Sequence, residues 1–191
     1  MEIDEFVVVP RCAVSNTGPL VSALQCGCLP ILYQFYDFVH VPASEVAEFE
    51  GHGAGEELRR MIDSGFTVPH TLTEPEQQVA RAIAEEIAAS PMSRNKDPLH
   101  HYPEAEAIAL MARDGLDAVE LLIDERAARE IAQRRGVPIV GFPGLLIRTC
   151  RQGMMTPEQV RDALVECQRQ GTHYSTALIT QIYERLRKGL K

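Results

Sequence analysis

The chain has 191 residues, of which 45% are hydrophobic and 24% are charged, a profile that fits one globular domain able to bury a core without disulfide or metal staples. Its formal net charge of −8 argues against a protein that coats nucleic acid by bulk attraction, because phosphate binding needs a local excess of Lys and Arg. That charge does not exclude an enzyme that contacts nucleic acid at one metal-loaded site.

The first third of the chain predicts strands that alternate with helices. The strand "CAVSNT" leads into a helix from Pro19 to Cys26, for which Ser15 or Thr17 is the expected N-cap and Pro19 suits the first turn. The elements that follow are a strand over Phe38–Pro42, a helix over 43–50 with Ser44 as its cap, a helix over 55–65, and a short strand over 66–70.

The middle of the chain predicts two helices, over Glu74–Ala89 and Glu104–Ala112, separated by "SPMSRNKDPLHHYP". Three prolines make this separator a loop by composition. Its adjacent histidines, His100 and His101, fit surface polar residues better than metal ligands, because neighbours in sequence point apart on any regular element.

The last third contains the clearest strands. Apolar runs at Val119–Asp124 and Val137–Phe142 flank the helix "ERAAREIAQRR", which has acid-before-base pairs four residues apart and is closed by Gly136. A strand, a helix and a second strand in this order form a βαβ unit, so the two strands are expected to be parallel. Three helical segments follow Pro143, over 144–153, 156–171 and 175–190.

The order of the elements predicts an α/β sandwich with a central parallel sheet and a helical C-terminal tail. We expect residues 1–150 to form the sheet-containing domain and residues 151–191 to form a helical extension packed on it. In such sheets ligands bind outside the carboxyl ends of the strands. The residues directly after each strand are therefore candidates for a functional site.

One amide and several acids occupy these positions: Asn16 after the first strand, Glu45 and Glu48 after the second, Glu104 and Glu106 in the helix that leads into a late strand, and Asp124 at the end of that strand. Hard oxygen ligands of this kind suit Mg²⁺ or Mn²⁺. A site of this composition supports phosphodiester hydrolysis, because a bound cation lowers the pKa of water and stabilises the charge that grows on the phosphate.

Each acid also has a purely structural explanation. Most of the 27 Asp and Glu residues fall on solvated helix faces, and Glu104 and Glu125 lie in first helical turns, where a negative charge favours the helix dipole. Asp124 ends an apolar strand, but an Asp at that position is also a good N-cap for the next helix. Spacing alone leaves both explanations open.

Five segments occur along the chain in an informative order: "VSNTGPLVSAL", "VHVPASEVAEF", "PEAEAIALMA", "ELLIDERAAREIAQRRGVPIVGFPGLLIRTCRQGMM" and "VRDALVECQRQGTHYSTALITQIYERL". Together they resemble the PIN-domain family, from about Ala13 to Leu186. The chain is most similar to a bacterial and archaeal branch, often of unassigned function, that is related to the ribonuclease toxins of toxin–antitoxin pairs. The resemblance implies a three-layer α/β/α nuclease fold with a divalent-metal site.

The resemblance also assigns roles to individual residues. It implies that Glu48, Glu104 and Asp124 are catalytic and that they bind Mg²⁺ or Mn²⁺ together with Asn16. Further candidates for the metal are Glu45 and Glu106 as substitutes for their neighbouring glutamates, and Glu125 as an outer helper. At the first position the toxin-type relatives have Asp and this chain has Asn16, so the metal is expected to bind more weakly.

The leading functional prediction is a divalent-metal-dependent endoribonuclease, with the toxin of a toxin–antitoxin pair as a special case. Arg94 and Lys96, in the loop before the third acid, are the predicted RNA-binding residues. Arg126 and Arg129 could also guide the RNA backbone, although Arg129 is expected to pair with Glu125. The main alternative is a catalytically weak PIN fold that binds RNA or a protein partner, and a phosphotransfer receiver domain ranks last.

Three expectations concern the setting of the protein. Five cysteines without a CxxC pair favour a reducing cytosol, and neither an apolar run of membrane-spanning length nor a signal peptide is visible, so we expect a cytoplasmic protein without a membrane partner. A small antitoxin is an expected partner under the toxin hypothesis. The apolar stripe of the last helix is compatible with a homodimer and equally with packing on the sheet.

Overall fold

The computed structural model describes residues 10–46 and 55–189. Its central sheet has five strands: β1 (Cys12–Ser15), β2 (Phe38–Pro42), β3 (Thr67–His70), β4 (Glu120–Leu122) and β5 (Ile139–Val140). Every neighbouring pair is parallel, and the spatial order is β3-β2-β1-β4-β5. The predicted parallel sheet is confirmed; β2 has the predicted bounds, and the other four strands are shorter than the segments that predicted them.

Nine helices accompany the sheet in the described ranges: α1 (Thr17–Gln25), α2 (Leu29–Phe35), α3 (Gly55–Asp63), α4 (Glu74–Ala89), α5 (Tyr102–Leu110), α6 (Arg126–Arg134), α7 (Phe142–Arg151), α8 (Pro157–Arg169) and α9 (Thr176–Gly189). Helix α2 and a short 3₁₀ helix at Pro98–His101 were not expected from the sequence. Of the helix predicted over 43–50, residues 47–50 lie outside the described residues.

The sheet is covered on both faces, as parallel sheets usually are. Successive residues of a strand point to opposite faces, so Ala13 and Leu122 belong to one buried cluster, whereas Val14 and Leu121 belong to the other. The first cluster includes side chains of α1, α2, α3 and α7 to α9, and the second includes side chains of α4 to α6. The result is the expected three-layer α/β/α sandwich.

Helices α8 and α9 contribute Leu164 and Ile179 to the same buried cluster as strand β1. The core therefore runs across the predicted boundary at residue 150, and the division of the chain there stays a prediction. Within the described part of the chain, no helix is long and apolar enough to cross a bilayer.

The connections between strands leave β1 towards opposite sides of the sheet. The chain moves from β1 to β2 and β3 in one direction and then returns to β4 and β5 on the other side of β1. The order of the strands thus reverses between β1 and β4, and open α/β sheets bind ligands at the carboxyl ends of the strands that flank such a reversal. The residues that leave these two strands are Asn16 and Asp124.

Candidate active site

Asn16 and Asp124 follow adjacent strands. Ser15 is paired with Leu122 in the sheet, and the backbone N–H of Asn16 donates to the carbonyl oxygen of Leu122 over 3.3 Å. The two segments that follow β1 and β4 therefore leave the sheet side by side, so Asn16 and Asp124 lie at the same edge of the sheet.

Both carboxylate oxygens of Asp124 accept a hydrogen bond. Oδ1 accepts from the backbone N–H of Phe142 over 3.0 Å, at the start of α7, and Oδ2 accepts from the hydroxyl of Tyr174 over 2.8 Å. Burial raises the pKa of Asp124, and the two hydrogen bonds together with the nearby charge of Arg129 act in the opposite direction. The two hydrogen bonds and the charge of Arg129 thus partly offset the rise in the pKa of Asp124 that burial causes.

Asp124 does not cap the helix that follows it. The N-cap of α6 is Glu125, whose side chain accepts from the backbone N–H of Ala128. The capping explanation therefore applies to Glu125, the outer helper of the sequence prediction, and Asp124 does not cap α6; its Oδ1 instead accepts from the first N–H of α7.

Gly141 has no side chain, which lets the carboxyl group of Asp124 lie close to its backbone. A Cβ atom on Gly141 would lie 2.3 Å from Asp124 Oδ1 and 2.8 Å from Arg129 Nη1, so no other residue fits without displacing one of them. The guanidinium of Arg129 is thus within about 5 Å of the carboxylate, and it donates to the carbonyl oxygen of Ile123 over 2.8 Å. Arg129 was expected to pair with Glu125, but its guanidinium instead bonds to the carbonyl oxygen of Ile123.

A cavity of about 890 Å³ opens beside Asp124. The loop before α5, the starts of α6 and α7 and the connection between α8 and α9 form its walls. Its lining contains three arginines, which are Arg94, Arg126 and Arg129, against the acids Asp124 and Glu125. Although the chain has a net charge of −8, the arginines that line this cavity outnumber the acids.

Asn16 occupies the N-cap position of α1, but its side chain makes no capping bond. Its Oδ1 atom is buried and has no hydrogen-bond partner in the described residues. The expected capping by Ser15 or Thr17 is wrong, because the Ser15 hydroxyl donates to the Asn16 carbonyl over 2.7 Å and the Thr17 hydroxyl donates to Glu45 Oε2 over 2.6 Å. The bond from Thr17 ties the buried carboxylate of Glu45 to the start of α1.

The acids of α5 lie on the other side of Asn16, towards β2. Glu106 is buried and accepts a hydrogen bond from Ser44, which follows β2, so Ser44 contacts an acid instead of serving only as the predicted cap. Burial raises the pKa of Glu106, and the bond from Ser44 partly offsets that rise. Glu104 lies partly buried in the first turn of α5. Glu48 is outside the described residues.

The two predicted RNA-binding residues have different surroundings. Arg94 is exposed and lines the cavity, whereas Lys96 donates to the carbonyl oxygen of Ser90 over 2.8 Å and holds the loop together. The prediction for His101 as a surface residue is wrong, because its ring is 3% exposed and Nε2 lies 2.8 Å from the Ser93 hydroxyl.

The residues present fit a divalent cation in their chemistry. Asn16 offers a buried amide oxygen without a hydrogen-bond partner in the described residues, and Asp124 offers a carboxyl group that packs closely against the backbone of Gly141. No group of three or more His, Cys, Asp or Glu side chains placed to hold a metal is found within 10–46 and 55–189, and Glu48 falls between these ranges. Of the predicted set, the described backbone places Asn16 and Asp124 at the same edge of the sheet, and of these two only Asp124 lines the cavity.

Comparison with known families decides the identity of the fold. A family model described as a PIN domain matches residues 12–188. The chain belongs to the PIN-domain family. PIN domains have a nuclease-type fold and generally use divalent metal ions. The comparison with curated proteins found no significant match, and neither did the comparison with solved structures.

Two residues of this PIN domain were missed by reasoning from the sequence. Tyr174 lies 50 residues after Asp124, in a segment that looked like a plain interhelical turn, and no local pattern connects the two. Gly141 was visible as part of "GFPG" after the last strand, but only the distances to Asp124 and Arg129 show why a glycine is needed there.

Proposed function

We propose that this PIN domain is a divalent-metal-dependent ribonuclease. The observation that carries the proposal is the placement of Asp124, a carboxylate at the switch point of the sheet, in the wall of a cavity lined by three arginines. Acids together with cations suit a substrate that is a polyanion cleaved at a phosphate.

The proposed chemistry divides the work among residues of this chain. Asp124 and Asn16 would hold the cation, with Glu48 and Glu104 added by the family resemblance. When bound, the cation supplies Lewis-acid stabilisation of the charge on the scissile phosphate. Phe142 and Tyr174 keep Asp124 in place through their hydrogen bonds.

The arginines of the cavity have separate tasks in this proposal. Arg94 and Arg126 are exposed at the cavity and bind the phosphates that flank the cleaved bond. Arg129 is anchored on the carbonyl of Ile123 and offsets the negative charge of Asp124 before a cation arrives. A small inhibitory protein that competes for this cavity, as for the toxin relatives, belongs to the same proposal.

The decisive experiment measures cleavage of a mixed RNA pool and of DNA of matched sequence by the purified protein with Mn²⁺. We expect cleavage of RNA and a loss of at least about 100-fold in Asp124→Asn, since one residue that stabilises developing charge is typically worth this much. Glu120→Gln is the matched control, because Glu120 begins the strand that leads to Asp124 and does not line the cavity. The proposal fails if no RNA is cleaved and Asp124→Asn binds Mn²⁺ as well as the wild type does.

A second candidate function is supported by Asn16. An amide oxygen can coordinate a cation but brings no charge, so the fold could bind RNA with feeble catalysis. Asn16→Asp separates the two functions, because the ribonuclease proposal expects tighter Mn²⁺ binding and faster cleavage in this variant. RNA binding without cleavage in both the wild type and Asn16→Asp favours the binding module.

A further inference from the structure

Tyr174 belongs to the connection between α8 and α9, yet its hydroxyl reaches the end of β4. The side chain is 7% exposed and lines the cavity. Its hydroxyl oxygen lies 2.8 Å from Asp124 Oδ2 and 3.1 Å from the hydroxyl oxygen of Ser22 on α1. Three distant parts of the chain thus meet at one phenol.

The direction of these hydrogen bonds follows from the chemistry of the groups. An ionised carboxylate can only accept, so the single phenolic hydrogen of Tyr174 points to Asp124. Ser22 must then donate to the phenol oxygen. The result is a directed chain from Ser22 through Tyr174 to Asp124.

The phenol is held in this position from several sides. The backbone carbonyl of Tyr174 accepts from Gln168 Nε2 over 2.7 Å, and its N–H donates to the carbonyl of Thr172 over 2.9 Å. The carbonyl of Ser22 accepts from the thiol of Cys167 over 3.2 Å, which ties α1 to α8 next to the phenol. The donor that faces Asp124 is therefore fixed by α1 and α8 together.

We propose that Tyr174 is a positioning residue for Asp124 in the candidate active site. One donor, from Phe142, holds Oδ1 and a second donor, from Tyr174, holds Oδ2, so the plane of the carboxylate is fixed about its Cβ–Cγ bond. Without the phenolic hydroxyl a single donor remains and the carboxylate can turn. The inference rests on the proposed function, since it assigns Tyr174 to the residue that would hold the cation.

The test compares the wild type with Tyr174→Phe, which keeps the ring and removes only the hydroxyl. Tyr183→Phe is the control, because the Tyr183 hydroxyl also contacts a carboxylate, Glu158, over 3.1 Å, but at the exposed surface. Mn²⁺ affinity is measured by calorimetry without RNA, and kcat and KM are measured with a labelled RNA. Each variant is also made in the Asp124→Asn background.

We expect Tyr174→Phe to bind Mn²⁺ about tenfold more weakly, the usual result of removing a partner that orients a metal ligand. We expect kcat to fall by a similar factor while KM for RNA changes less than about twofold. In the Asp124→Asn background the loss of the hydroxyl should have no further effect, because Tyr174 acts through Asp124. Tyr183→Phe should behave as the wild type.

Two results separate this inference from the proposed function. Mn²⁺ binding that depends on Asp124 but is unchanged in a folded Tyr174→Phe variant overturns the role of Tyr174 alone. Absence of Asp124-dependent Mn²⁺ binding in the wild type overturns both proposals. If Tyr174→Phe does not fold, Ser22→Ala decides, since it removes the donor to the phenol and leaves the ring; about threefold weaker Mn²⁺ binding is expected, and wild-type affinity contradicts the proposal.

Discussion

Strand β4 has an acid near each of its ends, and the protein treats the two in opposite ways. Glu120, the first residue of the strand, receives two hydrogen bonds from Arg148, over 2.6 and 2.9 Å, and one from the Tyr36 hydroxyl over 2.6 Å. Although burial acts to raise the pKa of Glu120, the bonds from Arg148 and Tyr36 outweigh it and hold that pKa below its usual range. Asp124, two residues beyond the strand, has no such bidentate cation, and burial raises its pKa.

The difference distinguishes an acid whose charge is fully paired from one whose charge is only partly compensated. At the amino edge of the sheet the charge of Glu120 is matched by a guanidinium, and nothing further is needed to keep it stable. At the carboxyl edge Arg129 is nearby but bonded to a backbone carbonyl, so the charge of Asp124 is only partly compensated. A strongly desolvated acid in a cavity is a frequent mark of a functional site.

The largest expected effect comes from adding a side chain at Gly141. In Gly141→Ala the new Cβ must displace Asp124 or Arg129, and a displacement of about 1 Å at a reacting centre can cost about 100-fold in rate. Gly144→Ala, three residues later in the first turn of α7, is the control, because its Cβ would meet Val140 Cγ2 at 2.8 Å and not Asp124. RNA cleavage and Mn²⁺ binding measure the effect; equal losses in both variants would contradict the assigned role of Gly141.

The two acids of β4 should separate stability from activity. Glu120→Gln removes the charge that Arg148 binds and should lower the free energy of unfolding by about 2 kcal/mol, with cleavage nearly unchanged. Asp124→Asn should change the free energy of unfolding by less than about 1 kcal/mol, because the amide keeps an acceptor for Phe142 and loses a desolvated charge. Urea unfolding of both variants, followed by activity assays, makes the comparison. Loss of stability in Asp124→Asn as large as in Glu120→Gln would make Asp124 a second structural acid.

A smaller effect is expected at the mouth of the cavity. Arg94→Ala should weaken RNA binding and reduce the slope of log affinity against log salt by about one, as for one lost phosphate contact. Lys96→Ala should leave that slope unchanged, because Lys96 is bonded to the Ser90 carbonyl. Fluorescence anisotropy with Asp124→Asn as the background avoids cleavage during the titration. A change of slope in Lys96→Ala but not in Arg94→Ala would mean that Lys96, and not Arg94, contacts a phosphate.

The smallest effect is a difference in the pH dependence of stability. The pKa of Glu120 is lowered by folding, so its stabilisation is complete above the unfolded pKa and is lost as the pH falls through the folded pKa. The pKa of Glu106 is raised by folding, so its charge destabilises the protein at neutral pH, and this cost disappears as the pH falls below the unfolded pKa. We therefore expect Glu106→Gln to be more stable than the wild type at pH 7, and the two to converge near pH 4.

The variant Glu120→Gln should show the opposite trend. It is expected to be less stable than the wild type at pH 7 and to approach the wild type as the pH falls. Thermal unfolding of the three proteins between pH 4 and 7 measures both differences. A stability difference from the wild type of the same sign in Glu106→Gln and Glu120→Gln would contradict the opposite pKa shifts of these two glutamates.

The sequence predicted the fold well because each strand is an apolar run bounded by polar residues or glycine. Helix α2 escaped prediction, since the seven residues of "LPILYQF" make only about two turns, which is too short for a helical period to stand out. The alternation of strands and helices predicted that Asn16 and Asp124 follow parallel strands, whereas the structure shows that these strands, β1 and β4, are neighbours. Glu48 stays a prediction because it is outside the described residues.

The partners of the candidate site could not be predicted in the same way. Whether Asp124 or Glu125 caps α6 depends on a shift of one residue at the end of a strand, which no pattern resolves. The contact of Tyr174 with Asp124 depends on how α8 and α9 pack on α1, a tertiary contact across 50 residues. Local spacing has no access to such contacts, and they are the ones that distinguish the two acids of β4.

The distance along the chain between Asp124 and Tyr174 also sets the time between their synthesis on the ribosome. Ribosomes add roughly 5 to 20 residues per second, so the 50 residues that separate the two take roughly 3 to 10 s to be made. During that interval the carboxylate already exists, but the phenol that holds its second oxygen does not. Under the proposed function the growing chain is translated from an RNA of the class that it would cleave, and Asp124 lacks the hydrogen bond from Tyr174 until about 50 further residues have been added.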